Sequence, residues 1–562
     1  MATFTTFYFY APTIFTLISV FLYQYVLYPV LLSPLSKIPS AHWSCSISPA
    51  WILWARFKSR ENRTLHSAHK QHGPIVRIGP NELSVNSIEG VKTIYQGGYD
   101  KHQWYSVFNN YGVPCTFSSL ASKPHSQRKR MVSHVYSKSS IHASRALSQQ
   151  ARAILTSSLL PALRSSQSQN GADVHSLFCA AAMDFVSAYC FGLARGADFV
   201  RRGPYREHWL ALYAARKGHG FFAQELPRLS RALGLLGLDP TPSWVRAANR
   251  ELEAWCKERC DAAVRFLEEE GGREGEKSAL GTADDPVVVR ALLAGIAKEA
   301  ATRGAASCLY DTALRQRELS VASEIFDHLL AGQETTGVAL TYLSYHLSQS
   351  LDLQRELRRE LLTLEPNMKI RHGGGADGDG DRDERVEIPD SRQLDNLPVL
   401  HAVVMETVRK YAPAGGPEPR VTPYQSSSSS SSCRIGPYEV PGGVRVSASA
   451  YNLHRVETAF PDPEKWDHTR WLRRQATFET SDSNGDEGKN DLNRHFWGFS
   501  SGGRMCIGSN FAMHDMKLII AAIYSNYTSY IVDDEGIEPT DAYTGHPKSN
   551  SLYLRFERAV DG

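Results

Sequence analysis

The sequence predicts a mainly helical domain with a small β lobe (α+β), tethered to a membrane by one N-terminal helix. Three observations predict it. Most of the middle and the C-terminal third carry apolar residues at helical spacing. Short alternating segments are few, at residues 74–85, 438–446 and near the C-terminus. The chain also begins with a long apolar run. At 562 residues and 42% hydrophobic content it can fill one large core. A net charge of +3 is too small to imply nucleic acid or an acidic substrate. Nine cysteines without CxxC pairs or zinc spacing indicate neither a disulfide framework nor a zinc site. Cys256 and Cys260 lie one helical turn apart with nothing to complete a site.

Taken in order, Phe7 to Leu32 is apolar and aromatic, with Gln24 its only strongly polar side chain. As a helix it is about 39 Å long, enough for a hydrocarbon core of about 30 Å. No Lys or Arg precedes Lys37, whereas Lys37, Arg56, Lys58 and Arg60 follow. A cleaved signal peptide wants the opposite arrangement. The positive-inside rule then puts the N-terminus in the lumen and the rest in the cytosol. Residues 1–33 are thus expected to be a single-pass anchor and 34–562 the catalytic domain. Ser33 to Pro39 reads as a stiff proline hinge. Pro74 to Pro80 and Glu82 to Val85 alternate like a hairpin.

His125-Ser126-Gln127-Arg128-Lys129-Arg130 opens a helix with a basic face. Asp173 to Glu270 is helical by pattern. A long helix spans about Ser320 to Ser350 and contains Ala331-Gly332-Gln333-Glu334-Thr335-Thr336. Ala331 and Thr335 are four apart and share a face. Glycine and aspartate alternate over 373–381, but without EF-hand spacing or its terminal Glu, so a disordered insertion near 366–389 is expected. On the helix Leu397 to Tyr411, Glu406 and Arg409 are three apart and can pair. The serine run near 425–433 and the polar stretch near 476–493 are two more insertions. Tyr438 to Val446 reads as a hairpin.

Phe499-Ser500-Ser501-Gly502-Gly503-Arg504-Met505-Cys506-Ile507-Gly508 then runs into an apolar-periodic helix. Cys506 therefore sits in a glycine-rich loop at a helix N-terminus, where the dipole and free N–H groups favour a thiolate. Glycines at 502, 503 and 508 permit sharp turns and close approach of a flat ligand. Phe499 can shield the sulfur, and Arg504 can hold an anionic group. A thiolate so placed suits a haem iron.

The order Phe-x-x-Gly-x-Arg-x-Cys-x-Gly resembles the haem-binding loop of the cytochrome P450 (haem-thiolate monooxygenase) family, of the fungal membrane-bound type. The resemblance runs from Pro34 to the C-terminus. It implies that Cys506 is the axial ligand of haem b, with Phe499, Gly502, Arg504 and Gly508 around it. It places a Trp-x-x-x-Arg pair, which contacts a propionate, at His125 and Lys129, with Arg130 as the alternative to Lys129. Arg420 becomes the candidate second propionate partner. The segment 331–336 is similar to the family's oxygen-activating motif. Ala331 would leave room for a diatomic ligand, Thr335 would hydrogen-bond it, Glu334 would relay protons, and Gly332 would permit a local opening of the helix. Glu406 and Arg409 match the family's Glu-x-x-Arg, completed by Arg470, although His468 and Thr469 replace the usual Pro and Glu. This triad is structural. The last hairpin, within Asp541 to Arg558, would reach the pocket near Thr544 to Pro547.

The function so implied is insertion of one oxygen atom of O2 into an apolar small molecule, in a fungal secondary-metabolite pathway. Electrons would come from NADPH through cytochrome P450 reductase at the endoplasmic reticulum membrane, with Arg128, Lys129 and Lys517 on the docking face. A haem-thiolate isomerase or dehydratase is the alternative, opposed by the intact Glu334-Thr335 pair; a membrane-tethered haem-binding sensor is the third. Two glycosylation sequons, Asn62-Arg63-Thr64 and Asn526-Tyr527-Thr528, would stay bare in the cytosol. Asp327 lies four residues before Ala331 and eight before Thr335, on the same helical stripe. It is expected either to anchor a substrate hydroxyl, amide or amine, or to pair with a lid arginine or the backbone.

Overall fold

The computed structural model describes residues 2–165, 170–271, 281–372, 384–424, 432–472 and 492–559. The Asp/Gly stretch at 373–381, the serine run at 426–431 and most of the 476–493 insertion lie outside them.

The N-terminal run forms a helix, Ala2–Leu22, continued in π-type turns over Tyr23–Leu32. Pro29 lacks an N–H and crowds the preceding turn, which the wider winding accommodates. Pro12–Leu32 is long and apolar enough to cross a membrane. Ser33 turns extended and its Oγ accepts from Leu35 N at 3.2 Å, ending the helix. The expected hinge is not free: Leu35 and Ile38 are buried in the β lobe. Arg77 donates to Pro29 O at 2.8 Å and to Ser46 Oγ at 3.2 Å, clamping the helix end to the domain.

The main sheet has five strands in the order Ile75–Gly79, Glu82–Val85, Arg445–Ser447, Arg420–Val421, Asp100–Lys101. The hairpin expected at 74–85 is present, with Val76 opposite Ser84. The one expected at 438–446 is not. Tyr438–Pro441 pairs backwards with Ser432–Ile435, and Arg445–Ser447 joins the main sheet. Gly443, at φ +82°, redirects the chain between the two.

The helical lobe is built on two buried helices, Val174–Phe191 and the central helix Arg317–Ser348. Their close approach explains two glycines. A Cβ on Gly337 would lie 2.5 Å from Cys179 Sγ, and one on Gly332 3.1 Å from a Val186 methyl. Gly332 thus serves helix packing; the central helix is unbroken α-helix through 331–336, without the expected local opening. A lid helix, Gly203–Gly218, and a short helix, Phe221–Glu225, cover the far side. The last strands, Tyr527–Asp533 and Tyr553–Arg558, pair antiparallel. Their connecting loop returns to the N-terminal part of the chain, where Asp541 accepts from Asn62 N at 3.0 Å and Arg63 N at 3.1 Å.

Candidate active site

A cavity of 1370 Å³ lies between the central helix, the lid helix, the sheet edge and the 499–508 loop. Phe499, Arg504, Cys506, Gly508, His125, Lys129, Ala331, Glu334, Thr335, Arg420 and Asp327 all line it. Residues expected together from sequence are therefore brought together. Arg130 is exposed and does not line the cavity, so of the two basic candidates Lys129 is the one facing it.

The loop is shaped by its own hydrogen bonds: Cys506 N donates to Phe499 O at 3.0 Å, and Met505 N to Gly502 O at 3.1 Å. Lys129 Nζ donates to Gly503 O at 3.1 Å and Met505 O at 2.8 Å, so it braces this loop. Gly502 is needed for the protein's sake. It sits at φ +71°, and a Cβ there would lie 2.3 Å from Tyr95 O. It does not line the cavity, whereas Gly508 does, with no heavy atom near its missing Cβ. Cys506 opens onto the cavity. Burial pushes its thiol up, against the Gly508 N–H and Lys129, so the helix N-terminus alone does not hold a thiolate there.

Behind the loop lies the expected triad. Glu406 receives Arg409 Nη2 at 2.8 Å and Nε at 2.9 Å, Arg470 Nε at 3.3 Å, Trp471 Nε1 at 3.0 Å and Asp467 N at 2.8 Å. Arg409 also donates to the carbonyls of His454, Pro463 and Lys465. His454, missed in the sequence, joins this triad to the loop. Its Nδ1 lies 2.8 Å from Arg409 O, and its Nε2 accepts from Trp497 N at 2.7 Å. These partners require the proton on Nδ1.

Cations line the same cavity. Pairing of Lys101 with Arg420 across the sheet places both at one wall, beside His125 and Arg504. Arg420 donates to Tyr105 Oη at 3.0 Å and Glu418 Oε2 at 3.2 Å, while its buried Nε has no partner among the described residues. Arg504 donates to Ser119 O at 2.9 Å and Leu120 O at 2.7 Å. Burial, then Arg420 and Arg504, push Lys101 well down. Burial, then Arg420, bring Arg504 down to about 10, and burial, then Arg504 and Lys101, bring His125 to about 3. Lys101 and Arg504 are thus held against their charge by burial and neighbouring cations, a cost that an anionic ligand relieves. Together with a free thiol, the open space at Gly508 and the small methyl of Ala331, this fits an iron porphyrin carrying two carboxylates.

On the central helix, Thr335 Oγ1 donates to Ala331 O at 2.7 Å, which leaves the hydroxyl oxygen as an acceptor toward the cavity. Glu334 is bound more heavily than expected. It is ion-paired with Lys217, and receives Tyr213 Oη at 2.8 Å and Thr544 Oγ1 at 3.1 Å. Burial would raise its carboxyl, but Lys217 and then Tyr213 hold it below the ordinary range. The terminal loop thus reaches the pocket at Thr544, as expected. Asp327 carries no hydrogen bond or ion pair among the described residues, so the expected lid pairing is not formed. Arg128 and Lys517, expected on a docking face, are buried and bonded to Ser320 and Asp395.

The lid closes on the β lobe through a buried ion cluster. Glu225 accepts from Arg56 Nη1 at 3.0 Å and from Arg445 Nη1 at 2.8 Å and Nη2 at 3.3 Å. Arg56 also meets Glu61 at 2.8 Å and Glu82 at 2.5 Å, and Arg445 meets Glu82 at 3.0 Å. Among the described residues no cluster of His, Cys, Asp and Glu suits a bare metal ion.

Comparison with known proteins agrees with this geometry. The family model described as Cytochrome P450 matches residues 302–553. The chain is 25% identical over 515 residues to cytochrome P450 monooxygenase orf2 of Aspergillus niger, covering 88% of this chain and 86% of that protein. It is 25% identical over 530 residues to cytochrome P450 monooxygenase sdnE of Sordaria araneosa, covering 92% and 91%. It is 24% identical over 506 residues to N-acetyltryptophan 6-hydroxylase ivoC of Emericella nidulans, covering 89% and 86%.

Proposed function

The chain belongs to the cytochrome P450 family, and from that premise we propose that it is a membrane-anchored monooxygenase of fungal secondary metabolism. The observation that carries this reading is the cavity itself, which has a cysteine on one wall, a hydroxyl-bearing helix on another and a cluster of cations beside both. The reaction is RH + O2 + two electrons + two protons giving ROH and water. The family takes a haem-thiolate centre, O2, a small-molecule substrate and electrons from a redox partner. For this chain the cofactor is haem b, and the electrons are from NADPH through the flavoprotein reductase at the endoplasmic reticulum.

In this reading Cys506 ligates the iron, and the bound haem supplies oxygen activation through that thiolate. Lys129 and the Gly508 N–H offset the cost of a buried sulfur anion. Arg420, Lys101, Arg504 and His125 hold the two carboxylates of the macrocycle. Thr335, its proton committed to Ala331 O, would accept a hydrogen bond from a proton donor in the cavity. Glu334 delivers protons only when Lys217 lets go, which ties proton supply to the position of the lid helix.

Exposed apolar side chains support the membrane reading. Trp43, Trp54 and Phe57 lie near the clamped end of the N-terminal helix, and Leu235, Leu236 and Leu238 follow the short lid helices. Phe57 packs edge-on against Phe221 at 5.3 Å and links the two groups.

Reduced protein treated with carbon monoxide should show the red-shifted Soret band of thiolate-ligated haem, and NADPH with reductase should drive oxygen uptake. A Cys506→Ala protein should fold and lose both. Persistence of the band in that variant would overturn the ligand assignment.

A further inference from the structure

Asp327 is the one carboxylate on the central helix's cavity stripe for which the monooxygenase reading has no task. It lines the cavity two turns before Thr335 and lacks any hydrogen bond or ion pair among the described residues. Besides the thiols of Cys115 and Cys506, four charged or titratable groups face it: Glu324 and His328 from its own helix, Lys101 from the sheet edge and Arg216 from the lid helix. Each of these four is engaged elsewhere. Glu324 accepts from Thr116 N at 2.8 Å, and His328 Nδ1 meets Tyr136 Oη at 3.0 Å. Lys101 donates to Phe117 O at 2.5 Å. Arg216 donates one N–H to Asn110 Oδ1 at 2.8 Å and lies over the Phe326 ring. Arg216 also lines the cavity, and among the described residues no carboxylate comes within 4.0 Å of it. One strong acceptor and one strong donor therefore stand in the same wall, near each other and unjoined.

We propose that Asp327 and Arg216 form a two-point recognition site for one end of the substrate. Asp327, whose carboxyl burial and Glu324 raise to about 7, takes an N–H or O–H donor in its ionised form, and Arg216 takes a neighbouring carbonyl or carboxylate oxygen. The substrate class is an apolar body ending in an acylamino acid, amide or hydroxy acid group. A lone alkylammonium is a poor fit, because Arg216 and Lys101 would repel it. Leaving both groups unpaired when an apolar ligand displaces water is costly, which supplies the selectivity. The inference rests on the monooxygenase reading for the position of the reacting centre and deepens it by naming the polar end.

The test uses the haem-loaded full chain and three aromatic probes of similar size, followed by ligand-induced shift of the Soret band. N-benzoyl-L-phenylalanine carries donor and acceptor, N-benzylphenethylamine only a cation, and bibenzyl neither. N-benzoyl-L-phenylalanine should bind at least about tenfold tighter than the other two, the scale of one charge-assisted hydrogen bond. Asp327→Ala and Arg216→Gln should each remove that preference while bibenzyl affinity and melting temperature stay near wild type. Asp327→Asn, which keeps an acceptor oxygen, should retain part of it. No binding of N-benzoyl-L-phenylalanine, equal affinity for all three probes, or an intact preference in the variants would overturn the proposal. So would a fall in melting temperature with binding unchanged, since that marks a purely structural carboxylate. Absence of the thiolate spectrum in wild-type protein would instead sink the underlying reading, and this one with it.

Discussion

Replacing Glu225 with Gln should loosen the lid without unfolding the domain. Glu225 is the only residue of the short lid helix in the ion cluster, and it accepts three charged hydrogen bonds from Arg56 and Arg445. The cluster holds three glutamates against two arginines. After substitution Arg56 keeps Glu61 and Glu82, and Arg445 keeps Glu82, so no buried cation is stranded. The penalty of about 3–5 kcal/mol for a broken buried pair therefore does not apply. What is lost is closure. Charged hydrogen bonds contribute about 1.5–3 kcal/mol each and are not additive within a network, and Gln keeps one acceptor, so about 2–3 kcal/mol is a fair net value. That raises the open population roughly 30- to 150-fold. Stopped-flow mixing with an azole should then show association and dissociation both accelerated more than tenfold, with little change in Kd. Glu61→Gln is the control, because Glu61 sits in the same cluster but on the N-terminal side, and its rates should match wild type. Equal acceleration in both variants, or in neither, would refute the latch. The pH dependence has a definite sign. Burial raises the Glu225 carboxyl, but Arg56 and Arg445 outweigh it and bring it to about 2. A depressed pKa means that the latch is fully present above about 4.5 and is lost as pH falls toward 2. Access rates should be flat at neutral pH and rise only in acid.

Thr335→Ala should leave NADPH consumption in place and raise peroxide released per product; unchanged coupling would assign that task to another group. Arg409→Ala strips Glu406 of its main partner in a fully buried pair, and should cost about 3–5 kcal/mol with loss of the bound haem following the loss of fold, read by calorimetry. Both sequon asparagines are buried in the folded domain: Asn62 Nδ2 donates to Ala542 O at 2.9 Å, and Asn526 Nδ2 to Met368 O and Ala522 O, both at 2.8 Å. An exposed site reports orientation more cleanly. Glu318→Asn creates Asn-Leu-Ser at an exposed position and should also stay bare if the domain is cytosolic. A glycosidase-sensitive mass shift there would place the domain in the lumen.

Features held within one turn or one loop were legible in the sequence. Glu406 and Arg409, Ala331 and Thr335, and the 499–508 loop all depend on spacing along a single element. Features made by distant elements were not. Lys101 reaches the cation wall because a two-residue strand pairs with Arg420 more than three hundred residues later. Glu334 looked like a free relay because nothing in its helix announces Lys217 or Thr544. Arg128 and Lys517 looked like surface charges, since a basic residue carries no local sign that Ser320 or Asp395 will bury it. Gly332 was read as a helix weakness when its cause lies in another helix, at Val186. The hairpin expected at 438–446 failed because alternation shows a strand but not its partner.

The contact of Asp541 with Asn62 and Arg63 has a consequence for biosynthesis. The two ends it joins are 479 residues apart, and ribosomes add roughly 5–20 residues per second. The helix Glu61–His72 therefore waits roughly 25–95 s for the loop that secures it, counting from synthesis of Asn62. During that interval the cavity has no finished roof, and apolar surface meant for the interior stays open to solvent. A truncation that removes only the last twenty-odd residues should behave as a folding defect and not as a catalytic one.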